Sequence, residues 1–206
     1  MNPINRENII LASQSPRRKE LLARAGLSFE IMAADIDEEA VPYTGTPDAY
    51  AKTLSHLKAD HIAQQHPQAW TIGADTIVVV DNTILGKPKG RDGAVAMLNA
   101  LADRSHSVFT GFTVIHPENG ISESCAVETR VTFKSLSAGE ISWYADTDEP
   151  YDKAGAYGIQ GIGAFLVKEI SGSYTNVVGL PVCEIMDTLA RFGIIQYNGH
   201  PMTIRT

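Results

Sequence analysis

The sequence predicts a mixed α/β domain, because helical and strand periodicities alternate along it while two hairpin signals break an all-parallel order. Length and composition agree. With 206 residues, 44% apolar and 20% charged, the chain reads as one globular domain or two small lobes. A chain of that size buries roughly 70% of its unfolded surface and needs no staples.

The elements follow in order. Asn8–Ser13 reads as a short strand. Ser15 then suits an N-cap and Pro16 the first helical position, Leu21, Leu22 and Ala25 form an apolar stripe, and Gly26 closes the helix. A second helix opens at Thr46-Pro47-Asp48 and runs to about Gln65, with Tyr50, Leu54, Leu57 and Ile62 facing inward. Trp70–Leu85 is a strand pair turned at Asp81-Asn82, and a helix follows from about Arg91 to Ala102. Strands near His106–His116 and Ser122–Ser135 flank a Pro-Glu-Asn-Gly turn, and the second of them alternates at Cys125, Val127, Val131 and Phe133. Ser137 and Glu140 form a capping box for a helix through Tyr144. A glycine-spaced loop over Gly155–Gly163 precedes a strand at Ala164–Ile170, a second loop at Gly172–Leu180 and a last helix from Pro181 to Phe192. Residues 197–206 carry no periodicity.

Charge and cysteine content exclude several classes. Lys and Arg number 17 against 24 Asp and Glu, and the net charge of −7 argues against a surface for nucleic acid or an anionic membrane. Cys125 and Cys183 lie far apart and belong to no CxxC, so they read as free, buried thiols of a reducing compartment. No apolar run has the length of a signal or a membrane span, which makes the cytoplasm the expected location.

Three features run against local propensity. Arg17-Arg18 occupies the opening turn of a helix, where the dipole disfavours cations by a few tenths to ~1 kcal/mol each. An anion at the free N–H groups reverses that sign, with Ser13 and Ser15 as further donors; otherwise both arginines point into solvent. Asp75 stands within an apolar strand, where an unpartnered carboxylate costs several kcal/mol, unless the strand turns at Gly73-Ala74 and leaves Asp75 at its end. Lys58 falls inside the apolar arc of its helix between Ala51 and Leu54, and Lys87 follows a strand in Gly86-Lys87-Pro88, within reach of a cleft.

Glu38, with Asp35, Asp37 and Glu39, forms an acidic loop that is either solvated surface or a site for a hard cation. His56, His61, His66 and His106 are further ligand candidates, though the first three follow a polar helix face. The inventory suits phosphate with Mg²⁺ and an activated water. Neither GxxxxGK[ST] nor a GxGxxG after a strand is present.

Five ordered motifs resemble those of the Maf nucleotide pyrophosphatases. They are Leu11-Ala12-Ser13-Gln14-Ser15-Pro16-Arg17-Arg18, Gly73-Ala74-Asp75-Thr76, Leu85-Gly86-Lys87-Pro88, the run from Asp152 to Gly161 (DKAGAYGIQG), and the run from Gly172 to Pro181 (GSYTNVVGLP). The resemblance implies one catalytic domain over residues 8–193, a loose tail over 194–206, and an inosine triphosphatase-like fold with two lobes around a cleft, often homodimeric. It also implies hydrolysis of a nucleoside triphosphate to the monophosphate and pyrophosphate with a divalent metal, Mg²⁺ or Mn²⁺.

Within that family the chain is most similar to the dTTP/UTP-directed subgroup, with modified pyrimidine nucleotides as further substrates. Arg17, Thr76 and Gln160 fall where that subgroup selects the base; the 7-methyl-GTP-directed subgroup has Trp, Gln and Glu there. Asp75 matches the proton acceptor and a metal ligand, Glu38 a metal ligand, and Ser13, Arg18, Lys58 and Lys87 the phosphate pocket. Thr53 stands where the family usually has Arg, and adjacent Lys52 points about 100° away, so no role is carried over. A nucleotide-binding regulator of division or septum formation, and a phosphosugar enzyme using the same anion pocket, are the rival readings.

Overall fold

The computed structural model describes residues 4, 5 and 7–197. Their elements are β1 (Ile4–Asn5), β2 (Ile9–Ala12), α1 (Pro16–Arg24), β3 (Glu30–Met32), α2 (Pro47–Ala63), β4 (Trp70–Val80), β5 (Thr83–Leu85), α3 (Gly90–Leu101), β6 (Ser105–His116), β7 (Ile121–Phe133), α4 (Ala138–Ala145), β8 (Val167–Ser171), α5 (Tyr174–Val178), α6 (Val182–Arg191) and β9 (Ile195–Gln196). A seven-stranded sheet runs in the order β3-β2-β4-β6-β7-β8, and β5 pairs with β4. Strands β3, β2 and β4 are parallel, and the remaining pairs are antiparallel. The expected mixed sheet with flanking helices is what the chain forms.

Local signals account for most boundaries. Ser15 caps α1 by accepting from the Arg18 N–H, and Pro16 occupies its first turn. Asp81 and Asn82 take φ of 48° and 61°, the left-handed pair that a two-residue hairpin turn requires. Ser137 and Glu140 complete the capping box of α4.

One face of the sheet carries two hydrophobic clusters. Ile9, Leu11, Trp70, Ile72 and Ala74 meet Leu21, Leu22, Ile185 and Leu189 of α1 and α6. Further along the same face of β4, Val78 and Val80 meet Leu98, Leu101, Ile141 and Tyr144 of α3 and α4. Thr76 falls between them, opposite Thr110 of β6. The two clusters are thus separated by a polar break in an apolar strand.

Helix α2 covers the opposite face at unusually short range. A Cβ on Gly73 would stand 2.6 Å from the Ala59 nitrogen, and one on Gly111 would collide with the Ala51 carbonyl. The helix therefore buries small residues (Ala51, Ser55, Ala59, Ala63) with Leu54, Lys58 and Ile62. That close seating rotates Leu57 outward, to 37% exposure, against the expectation that it faces the core.

Other expectations also need correction. Glu30–Met32 forms a strand that three partly exposed residues could not announce. The expected loop Gly172–Leu180 contains α5, capped by Ser173, and the strand expected from Ala164 begins at Val167 after a 3₁₀ segment. Cys125 and Cys183 are free but not buried, Cys125 being half-buried and Cys183 exposed on the outer side of α6. Ile194 and Ile195 are buried in the first cluster, and β9 pairs with β1, so packing continues past residue 193. The rest of the expected tail, 198–206, lies outside the described residues.

Behind the second cluster, His106 packs edge-on against Phe133 and Tyr157 and shares a 2.8 Å hydrogen bond with the Tyr157 hydroxyl. Burial depresses its pKa from 6.5 to about 4. Between those values the unfolded chain binds the proton that the folded chain refuses, so stability declines as pH falls from 6.5 to 4. The full loss is roughly 3 kcal/mol. Urea unfolding across that range should show this slope in the wild type and a flatter one in His106→Gln; equal slopes would contradict it.

Candidate active site

Strand β2 ends at Ala12, opposite Gly73, and β5 joins the same edge of β4 only at Val78. Residues 74–77 therefore have no strand on that side, just beyond the carboxyl end of a parallel pair, where open α/β sheets leave a crevice. A cleft of about 1380 Å³ opens there. It is lined by all nine residues to which the resemblance gives a role: Ser13, Arg17, Arg18, Glu38, Lys58, Asp75, Thr76, Lys87 and Gln160.

Asp75 lies within an unbroken β4 and is 6% exposed, so the alternative of a strand turning at Gly73-Ala74 is not what the chain does. Its side chain shares the α2-facing side with Gly73, and the seating of α2 brings Lys58 Nζ to 2.5 Å from Asp75 Oδ1. Glu38, from the 3₁₀ turn Glu38–Ala40, reaches the same ammonium at 2.9 Å. Lys58 is 8% exposed, so it is a buried cation between two carboxylates rather than a snorkelling surface lysine. Asp75 lines the cleft, and its Oδ2 has no protein partner among the described residues.

Arg18 lies on the other side of β4. Its Nε donates to the Gly179 carbonyl at 2.8 Å, its Nη2 to Thr76 Oγ1 at 3.2 Å and its Nη1 to Ser13 Oγ at 3.4 Å. All three acceptors are neutral. Burial lowers its pKa, against the pull of Asp75 and Glu38 across the cleft. Ser13 Oγ also accepts from the Ser15 N–H, which leaves its own proton free to donate. Thr110 donates to the Asn176 carbonyl, so the one Thr76 proton is divided between Thr110 Oγ1 at 2.9 Å and the Gly179 carbonyl at 3.4 Å, and Thr76 keeps acceptor capacity only.

Arg17 diverges from Arg18 and pairs with Asp152 at 2.8 Å across the mouth of the cleft; Lys153 reaches the other oxygen of Asp152 at 2.5 Å. Lys87 and Gln160 are exposed on the walls and have no protein partner among the described residues. Among the other acidic loop residues, Asp37 caps the 3₁₀ turn through the Ala40 N–H. Lys52 pairs with Asp48 along α2, and Thr53 bonds to the Ala49 carbonyl, so neither stands in for an arginine in the cleft. His106 is a core residue, not a ligand.

Sequence reasoning gave no role to Asp152, Lys153, Glu149 or Asn176. Asp152 meets Arg17 across 135 positions, and Asn176 bonds to Val108 and Thr129 from 68 and 47 positions away. Such pairings leave no local signal.

The cleft juxtaposes an anion-attracting pole, made of Arg18, the Ser13 hydroxyl and the α1 N-terminus, with a carboxylate pair at Asp75 and Glu38. Asp75 and Glu38 meet at the Lys58 ammonium, and their carboxylates are donors of the kind a hard cation takes when phosphate oxygens and water complete its shell. Among the described residues no group of three or more His, Cys, Asp or Glu side chains could enclose a metal without such help.

Lys58 and Asp75 depend on each other for stability. Lys58→Met would strand a buried carboxylate, and losses of that kind run about 3–5 kcal/mol. Urea unfolding should show a destabilisation of that order in Lys58→Met and partial recovery when Asp75→Asn is added. Strictly additive effects would mean that the two groups do not interact.

A family model described as "Maf-like protein" matches residues 8–192. A Syntrophus aciditrophicus protein named "dTTP/UTP pyrophosphatase" is 45% identical over 193 residues, covering 94% of each chain. A Geotalea uraniireducens protein of the same name is 49% identical over 191 residues, covering 93% of this chain and 98% of that one. Among solved structures the chain is similar to the Ham1 protein of Staphylococcus aureus, with a TM-score of 0.49 and 14% identity, covering 91% of this chain and 100% of that one. The family match spans most of the sequence and includes every residue that lines the cleft, and the chain belongs to the Maf-like protein family.

Proposed function

We propose that the chain is a nucleoside triphosphate pyrophosphatase that hydrolyses dTTP and UTP to the monophosphate and pyrophosphate. One observation carries this reading: a guanidinium held only by neutral acceptors at a helix N-terminus faces a buried carboxylate across a cleft large enough for a nucleotide. The names of relatives at 45–49% identity support the same substrates. As a cytoplasmic enzyme it would use one catalytic domain, from residue 8 through the buried Ile194 and Ile195, and could pair as a homodimer.

Arg18, Ser13 and Lys87 bind the triphosphate, and the α1 dipole adds to their attraction. Glu38 and Asp75 would hold a divalent cation, Mg²⁺ or Mn²⁺, whose chemistry is neutralisation of phosphate charge. Lys58 holds Asp75 through Oδ1, which leaves Oδ2 without a protein partner among the described residues. Water attacks the α-phosphorus, its proton passes to the Asp75 carboxylate, and the bond from that phosphorus to the bridging oxygen breaks to release pyrophosphate. Screening and positioning supply most of the rate, because pyrophosphate leaves readily once its charge is offset.

Base choice falls to Arg17, Thr76 and Gln160. Gln160 has an uncommitted amide, able to donate and accept at a pyrimidine edge. Thr76 can only accept, and Arg17 is held in place by Asp152. A polar group left unpaired by the wrong base is costly, which gives such contacts their discrimination.

Asp75→Asn keeps the side-chain volume and an acceptor for Lys58 but removes the proton acceptor. Turnover of UTP should fall by at least ~100-fold while binding, measured by calorimetry, stays within a few-fold of wild type. Full activity in this variant would remove Asp75 from the chemistry.

A further inference from the structure

Glu149 begins a 3₁₀ turn beside the cleft, and its carboxylate is wholly engaged with the glycine-rich loop that follows. Oε2 accepts from the Ile162 N–H at 2.7 Å. Oε1 accepts from the Gly163 N–H at 3.0 Å and from the Tyr144 hydroxyl at 3.0 Å. That hydroxyl in turn accepts from the Gly158 N–H at 3.1 Å, so both ends of the 158–163 loop are tied to one carboxylate. Gln160 sits between the two ties.

The glycines make the approach possible. A Cβ on Gly158 would stand 2.8 Å from Glu149 Oε1, one on Gly161 would collide with the carboxylate, and one on Gly163 would stand 2.5 Å from the Tyr144 hydroxyl. Tyr144 is fully buried, and burial raises its pKa, so it remains a donor at neutral pH. Lys153 braces the same turn by donating to the Glu149 carbonyl at 2.7 Å. None of these groups bonds to the Arg18 and Ser13 pole, and Thr76 and Gly179 reach Arg18 without them.

We propose that Glu149 is a positioning residue for nucleoside recognition: it holds the 158–163 loop as the wall that presents Gln160 to the base, and it leaves phosphate binding to the opposite side of the cleft. The inference rests on the reading of the cleft as a UTP and dTTP site. An amide at this position cannot serve, since Glu149→Gln turns an NH₂ toward one of the N–H or O–H donors that the carboxylate accepts.

The test compares UTP with inorganic tripolyphosphate, which has no base. In Glu149→Gln the KM for UTP should rise about tenfold, the loss expected of a charge-assisted hydrogen bond, with kcat within about threefold. The inhibition constant of tripolyphosphate should stay at the wild-type value. Tyr144→Phe removes one tie and should raise the KM by a smaller factor; it carries the test if Glu149→Gln does not fold. A wild-type KM for UTP in both variants, or equal weakening of UTP and tripolyphosphate, would overturn the assignment. If the wild-type protein neither binds nor hydrolyses UTP, the functional reading itself fails and the assignment falls with it. Normal wild-type turnover with unaffected variants removes Glu149 alone.

Discussion

The ammonium of Lys58 lies between Asp75 and Glu38, and the site is arranged around that contact. A carboxylate in the interior of a β-strand is expensive to bury unless a cation meets it. The cation can reach it only because α2 descends onto Gly73 and Gly111, where any side chain would meet helix backbone. Two glycines on the sheet, small residues on the helix and one lysine in the apolar arc are therefore a single device. It places a carboxylate side chain in the lining of a cleft whose far wall carries Arg18.

The opposite wall follows a different rule. Arg18 is surrounded by a carbonyl and two hydroxyls, acceptors that orient a guanidinium without neutralising it. Arg17, one residue earlier, is neutralised by Asp152 instead. Such a half-exposed pair contributes about 0–1 kcal/mol, so its effect is to fix where Arg17 points rather than to stabilise the fold. Adjacent arginines thus divide between attracting an anion and closing the mouth of the cleft. The polar break at Thr76 and Thr110 supports the division, because it separates the two apolar clusters at the level where Arg18 enters.

Much of this was legible in the sequence because it violates local preference. Arg17-Arg18 at a helix start, Asp75 in an apolar strand and Lys58 in an apolar arc each conflict with the element around them, and all three line the cleft. Helix caps and the Asp81-Asn82 turn were legible because their signals are confined to a few neighbouring residues. What escaped was non-local or too short. The pairing of Asp152 with Arg17 and the ties of Asn176 to two strands depend on tertiary contact, β3 has only three residues, and α5 is one turn inside a glycine-flanked segment. Leu57 misled because hydrophobicity alone cannot show that an apolar arc is centred on small residues and a lysine. Burial of Ile194 and Ile195 escaped because two residues carry no period.

Under the proposed function, the cleft selects a pyrimidine triphosphate and cleaves it between the α- and β-phosphates. The most direct measurement is product analysis over a panel of dTTP, UTP, ATP and GTP, with Mg²⁺, Mn²⁺ or EDTA. The expected result is metal-dependent release of pyrophosphate and the monophosphate from dTTP and UTP, with little from ATP or GTP. Release of orthophosphate, indifference to the base, or nucleotide binding without any cleavage would contradict it, and the last would favour a nucleotide-binding regulator.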